Sequence, residues 1–193
     1  TVEWVAAHAE ELEIDTEKLM VAGDSAGGQL ITACVYRDEK GLIKRCFLIY
    51  PAVDLAHPDD SPYYRWSYDA YPIIPEQEEY MKSRVERIRK GTDGNAETSL
   101  YVQGRVSMKN PEVSVMWAHD EVIKRFPQTT VVSAEYDFLR IQDEAFAKRL
   151  HTVGMKVNTI RYLGCDHGFL DLLGTTVQAE ELCMELAEAI RGM

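Results

Sequence analysis

The sequence predicts an α/β fold in which a mainly parallel sheet is flanked by helices. Three observations carry that expectation. Short apolar runs, Leu19-Met20-Val21-Ala22 and Cys46-Phe47-Leu48-Ile49-Tyr50, lack the in-out alternation of a half-exposed strand, so they read as strands buried on both faces. Segments with helical spacing separate the runs, from Ala26 to about Tyr36 and from about Arg140 to Val153, as strand-helix alternation requires. The first run also feeds through Gly23-Asp24-Ser25-Ala26-Gly27-Gly28 directly into a helix.

Taken in order, Thr1-Val2-Glu3-Trp4-Val5 reads as helix interior, with Val5, Ala9 and Leu12 on one face and no cap residue before it. A chain that begins mid-fold is therefore expected. Ile14-Asp15-Thr16-Glu17 turns into the first strand, and the next helix places Leu30, Ala33 and Cys34 at helical spacing. Thr130-Val131-Val132-Ser133 and Val157 to Tyr162 read as two more strands, joined by a helix that stops at Gly154, a natural residue just past a helix end. The closing helix opens at Thr175 or Thr176 and is expected to turn Val177, Leu182, Leu186 and Ile190 toward the core.

Residues 1–193 are of a size for one domain, and approximately 54–127 read as an insertion within it, rich in aromatics and prolines. Its clearest element is a helix from Pro75 to Lys90, with Pro75 in the first turn, Glu76, Glu78 and Glu79 near the start, and Arg87, Arg89 and Lys90 at the end. That distribution suits the helix dipole. Gly91 is the expected stop, and Gly91-Thr92-Asp93-Gly94-Asn95 the expected loop. The basic cluster Lys82, Arg84, Arg87, Arg89 and Lys90 reads as a solvated face.

A net charge of -11 repels phosphate backbones and anionic lipid, which argues against a nucleic-acid partner. Cys34, Cys46, Cys165 and Cys183 lie far apart without metal-ligand spacing, the usage expected of reduced core thiols in a cytoplasmic protein. No apolar run approaches the roughly 18 residues that a membrane span needs.

Gly23-Asp24-Ser25-Ala26-Gly27 fits the pattern Gly-x-Ser-x-Gly. Between a strand and a helix, that turn lifts a serine hydroxyl above the sheet, and glycines on both sides relieve the crowding. It also points the helix N-terminus and the Ala26 N–H at the reacting centre, where an oxyanion would form. Without a Gly-Lys-Ser/Thr or Gly-x-Gly-x-x-Gly pattern beside it, a phosphate-binding turn is the weaker reading. A serine nucleophile needs a histidine base and a carboxylate that orients the histidine. His8 precedes the serine; His57, His119 and His151 fall in the insertion or on a helix; His167 follows the last strand and is suitably placed. For the carboxylate, Asp137 sits at the C-terminal end of a strand, where chemistry collects in open α/β sheets. Its rivals are Glu135, which strand alternation points away from Asp137, Asp143 on the following helix, and Asp166, close to His167 in sequence.

Gly23-Asp24-Ser25-Ala26-Gly27-Gly28, then Glu135-Tyr136-Asp137-Phe138-Leu139-Arg140, then Asp166-His167-Gly168-Phe169 resemble the hormone-sensitive-lipase-like family of α/β-hydrolases. Tyr50-Pro51-Ala52-Val53-Asp54 and Asn110-Pro111-Glu112-Val113-Ser114 extend the resemblance over most of the chain. It implies that Ser25, Asp137 and His167 form a triad with Ala26 N–H in the oxyanion hole. It also implies hydrolysis of small-molecule carboxylic esters with short or medium acyl or acetyl groups, without metal or organic cofactor. Tyr63, Trp66 and Tyr71 are then either a wall of the acyl pocket or core aromatics.

The family's His-Gly-Gly-Gly motif upstream of the nucleophile is absent, as are its N-terminal strands. The expectation is a partial α/β-hydrolase fold, from a fragment or a truncated gene product. The bare edge of the first strand is then expected to pair with another chain, as in a homo-oligomer, or with the missing N-terminal segment. A catalytically silent remnant and an amide or peptide hydrolase with the same triad are the alternatives.

Overall fold

The computed structural model describes residues 1–93 and 100–193. The elements follow in the order α1 (Val2–Ala7), β1 (Met20–Asp24), α2 (Ser25–Arg37), β2 (Arg45–Ile49), α3 (Glu78–Asp93), α4 (Asp120–Ile123), β3 (Gln128–Tyr136), α5 (Arg140–Thr152), β4 (Val157–Asp166) and α6 (Val177–Arg191). The four strands lie side by side as β1-β2-β3-β4, and each neighbouring pair is parallel. An α/β sheet flanked by helices is the architecture that the continuous apolar runs imply. Among the described residues β1 and β4 are its two edges. An apolar groove lined by Leu19, Met20, Ala22, Leu186 and Ile190 runs beside β1.

Strand alternation divides β2 between two cores. Cys46 and Leu48 join Ile31, Val35, Val131, Phe146 and Leu150 on one face. Phe47 and Ile49 join Val132, Ala134, Ala179 and Leu182 on the other. Phe146 and Leu150 are wholly buried, and side chains of that kind each contribute about 1.5–3 kcal/mol on leaving water.

Several local expectations shift. The buried stripe of α2 is Gly28, Gln29, Ile31, Thr32 and Val35, while Leu30 and Cys34 face outward. The close approach of Gly28 to Pro51 turns the helix by about one residue from the face its large apolar side chains suggest. Likewise α6 buries Ala179, Leu182 and Ala189, leaving Val177 and Ile190 exposed. Of the cysteines expected in the core, Cys46 and Cys165 are buried, Cys183 is partly covered and Cys34 is exposed.

In the insertion, a 3-10 turn at Pro75–Gln77 leads into α3. Gly91 does not stop that helix, which continues to Asp93. A Cβ at Gly91 would sit 2.4 Å from the Phe138 ring, so the glycine allows the helix to lie against that residue. Of the expected loop, Gly91, Thr92 and Asp93 are helical, and Gly94 and Asn95 lie outside the described residues. No helix of the described residues is long and apolar enough to cross a membrane.

Candidate active site

The turn after β1 is tight. Ser25 opens α2 at φ 49, a left-handed conformation that costs a non-glycine residue of order 1–3 kcal/mol. Neighbouring backbone holds it there: the Ser25 carbonyl accepts a 3.1 Å hydrogen bond from Ala52 N–H. The glycine requirement falls at Gly23 and Gly28 more than at Gly27. A Cβ at Gly23 would lie 2.8 Å from the Gly27 carbonyl carbon, and one at Gly28 would lie 2.6 Å from Pro51 Cβ. At Gly27 the nearest atom would be 3.7 Å away. Ala26 N–H belongs to the first turn of α2, whose N–H groups have no intrahelical acceptor.

The acid end of the site is built by β3 and the turn into α5. Asp137 is fully buried. Its Oδ1 accepts from Leu139 N–H at 2.9 Å, and its Oδ2 lies 2.7 Å from His167 Nδ1. Aromatics of the insertion bind the same turn: Tyr71 hydroxyl donates to the Asp137 carbonyl at 2.8 Å, and Trp66 Nε1–H to the Phe138 carbonyl at 3.3 Å. Tyr63 lies under the Arg149 guanidinium instead. Trp66 and Tyr71 therefore pack and hydrogen-bond as braces of the acid turn.

An irregularity in β4 places the histidine. Between the pairs Ala134–Tyr162 and Tyr136–Asp166, β3 advances two residues while β4 advances four. Gly164 takes φ 72 within that bulge, and its N–H donates to Glu135 Oε2 at 2.7 Å. Bulges of this kind re-aim the side chains that follow them. His167 emerges with Nε2 2.9 Å from Ser25 Oγ. Its ring is flanked by Tyr50 and Phe138, with centroids at 5.0 Å and 5.2 Å.

Ser25, His167 and Asp137 are thus brought into one hydrogen-bonded line. With Nδ1–H donated to Asp137, the tautomer leaves Nε2 as the acceptor for the serine hydroxyl. Two of the three rival carboxylates are engaged elsewhere. Glu135 holds Gly164, and Asp166 pairs with Arg84 and Arg87 on α3. Asp143 is fully buried on α5 with neither oxygen hydrogen-bonded among the described residues. Burial first, and the charges of Asp137 and Glu144 second, push its carboxyl well above the usual range.

Two features escape the sequence pattern. The basic cluster of α3 is not uniformly a solvated face, because Arg84 and Arg87 bind Asp166, the residue before His167. Tyr50, at the end of β2, packs its ring on His167; its place beyond a strand's C-terminal end was the available signal.

Comparison with known proteins bears on the fold and the family. A family described as alpha/beta hydrolase fold matches residues 1–171. An arylesterase of Saccharolobus solfataricus is 31% identical over 169 residues, covering 86% of this chain and 49% of that protein. Lipase 2 of Moraxella sp. is 28% identical over 187 residues, covering 88% of this chain and 42% of that protein. Carboxyl esterase 2 of Tuber melanosporum superposes with a TM-score of 0.74 at 27% identity, covering 99% of this chain and 58% of that one. An esterase of Pyrobaculum calidifontis gives 0.77 at 27% identity, covering 100% and 58%. The chain spans about half the length of the curated relatives it matches.

Proposed function

The chain belongs to the α/β-hydrolase fold family, and from that premise we propose that it carries the catalytic residues of a carboxylic ester hydrolase. Ser25 Oγ attacks the acyl carbon while His167 Nε2 takes its proton. Asp137 holds the imidazole in the tautomer this needs and stabilises the imidazolium that forms. Ala26 N–H donates to the oxygen on which negative charge develops, the interaction that most lowers such barriers. The imidazolium then protonates the leaving alcohol, and a water activated by the same base releases the acid from the acyl-enzyme.

The observation that carries this reading is the continuous line Ser25 Oγ, His167 Nε2, His167 Nδ1, Asp137 Oδ2, with separations of 2.9 Å and 2.7 Å. The names arylesterase, lipase and carboxyl esterase among the relatives above support an ester substrate. Paired ester and anilide substrates of one acetyl group test the reaction class. Faster turnover of the ester, abolished in Ser25→Ala, is expected. Turnover that survives Ser25→Ala would reject the assignment, and anilide cleavage faster than ester cleavage would make the chain an amidase. A folded chain with no turnover of either substrate would favour the silent remnant.

A further inference from the structure

The Gly164 carbonyl lies in the bulge of β4, where the regular ladder to β3 is interrupted, and Asp166, where pairing resumes opposite Tyr136, immediately precedes His167. Both are held by α3 of the insertion. Arg84 Nε lies 3.1 Å from Asp166 Oδ1, and its Nη2–H donates to the Gly164 carbonyl. The same guanidinium lies over the Tyr136 ring, 4.7 Å from its centroid. Arg87 Nη2 lies 3.0 Å from Asp166 Oδ2. One helical turn further on, Gly91 brings α3 against Phe138, whose ring packs on His167. A cleft of about 590 Å³ opens along this seam, bordered by Arg84, Arg87, His167, Phe169 and Leu172.

We infer that Arg84 and Arg87 are positioning residues for His167, acting through Asp166 and the Gly164 carbonyl. The inference rests on the reading of His167 as the general base. Two arginines on Asp166 contribute little as partly exposed ion pairs. Their consequence is geometric, because Arg84 supplies a donor to the Gly164 carbonyl inside the bulge and both arginines hold the side chain of the residue that precedes the base. An imidazole must sit within about 0.5 Å of its working position, and misplacement by about 1 Å can cost roughly 100-fold in rate. The insertion thereby sets the base, so a rearrangement of α3 would change turnover without touching Ser25 or Asp137.

The test compares the wild-type chain with Arg84→Ala/Arg87→Ala, with Asp166→Asn, and with all three substitutions combined. Two readouts are taken: the His167 tautomer from long-range proton-nitrogen NMR of the ring, and kcat with KM on an acetyl ester. Wild type is expected in the Nδ1–H tautomer. Arg84→Ala/Arg87→Ala is expected to give a tautomer mixture and a kcat about 10- to 100-fold lower with KM within about twofold. Asp166→Asn alone should reproduce most of that loss, and the triple substitution should add nothing to it. Arg84→Lys, which keeps the charge, should restore part of kcat in the Arg87→Ala background.

An unchanged tautomer and kcat in the folded double variant would overturn the inference, as would losses that simply add. If the arginine variant does not fold, Asp166→Asn is judged by the same two readouts. A wild-type chain in the Nδ1–H tautomer but without turnover would sink the ester-hydrolase reading and leave the tautomer shift to decide on the arginines. A wild-type ring in the other tautomer would remove both.

Discussion

The Tyr71 hydroxyl, on the insertion, donates a 2.8 Å hydrogen bond to the backbone carbonyl of Asp137 on the turn after β3. That carbonyl also accepts from Arg140 N–H, so Tyr71→Phe leaves it one partner. The expected cost is about 1 kcal/mol, a fall of about 2–4 °C in Tm for a chain of this size. Thermal unfolding of the two proteins checks this, and a loss beyond about 3 kcal/mol would mean that Tyr71 does more than brace the turn.

The two glycines that follow Ala26 should respond in opposite directions to alanine. A helix gains up to about 1 kcal/mol when alanine replaces glycine, and at Gly27 the new Cβ meets only an ordinary 3.7 Å contact. Gly27→Ala should therefore be neutral or stabilising. At Gly28 the Cβ would meet Pro51 Cβ at 2.6 Å and Pro51 Cα at 2.9 Å. Backbone cannot swing aside, so overpacking of about 1–3 kcal/mol should exceed the helical gain. Denaturant midpoints of both variants measure the contrast.

Asp137 and Glu135 separate the acid from its nearest rival. Asp137→Asn should lower ester turnover by about 10⁴-fold, because the asparagine favours the wrong imidazole tautomer. Glu135→Gln retains an acceptor for Gly164 N–H and should stay within about tenfold of wild type. Initial rates at saturating ester give both numbers, and equal losses would leave the acid unassigned between them.

Asp143 links the core to pH. Desolvation raises its folded pKa well above the ordinary 3.8, while the unfolded chain releases the proton near that ordinary value. From about pH 4 upward to the raised pKa, the folded state binds more protons than the unfolded state, so this group's contribution to stability falls as pH rises. Asp143→Asn has no proton to lose. As pH rises above about 4, the Tm of the variant should therefore gain on that of wild type, and parallel curves would contradict the buried, protonated acid.

The parts of the site legible in the sequence are those fixed by local chemistry. A serine between a strand and a helix, an acid at the end of β3 and a histidine after β4 are read from neighbours a few residues away. Helix facing is another matter. Leu30 and Ile190 are large apolar side chains left exposed, yet Gly28 and Ala179 are buried, because close approach of the helix requires small residues there. Gly91 looks like a helix stop until Phe138, 47 residues later, is packed against it. Arg84 and Arg87 have the spacing of a solvated face, and their partner Asp166 lies about 80 residues away. Sequence spacing carries no information on such partners, since the fold of the insertion decides them.

The central claim, that Ser25, His167 and Asp137 form a working triad, is tested most directly by covalent labelling. The purified chain is treated with a fluorophosphonate at neutral pH and read by intact mass, beside Ser25→Ala and His167→Ala. One adduct per wild-type chain and none on either variant is expected. A folded wild-type chain that takes no adduct, or an adduct that persists in Ser25→Ala, would contradict that claim.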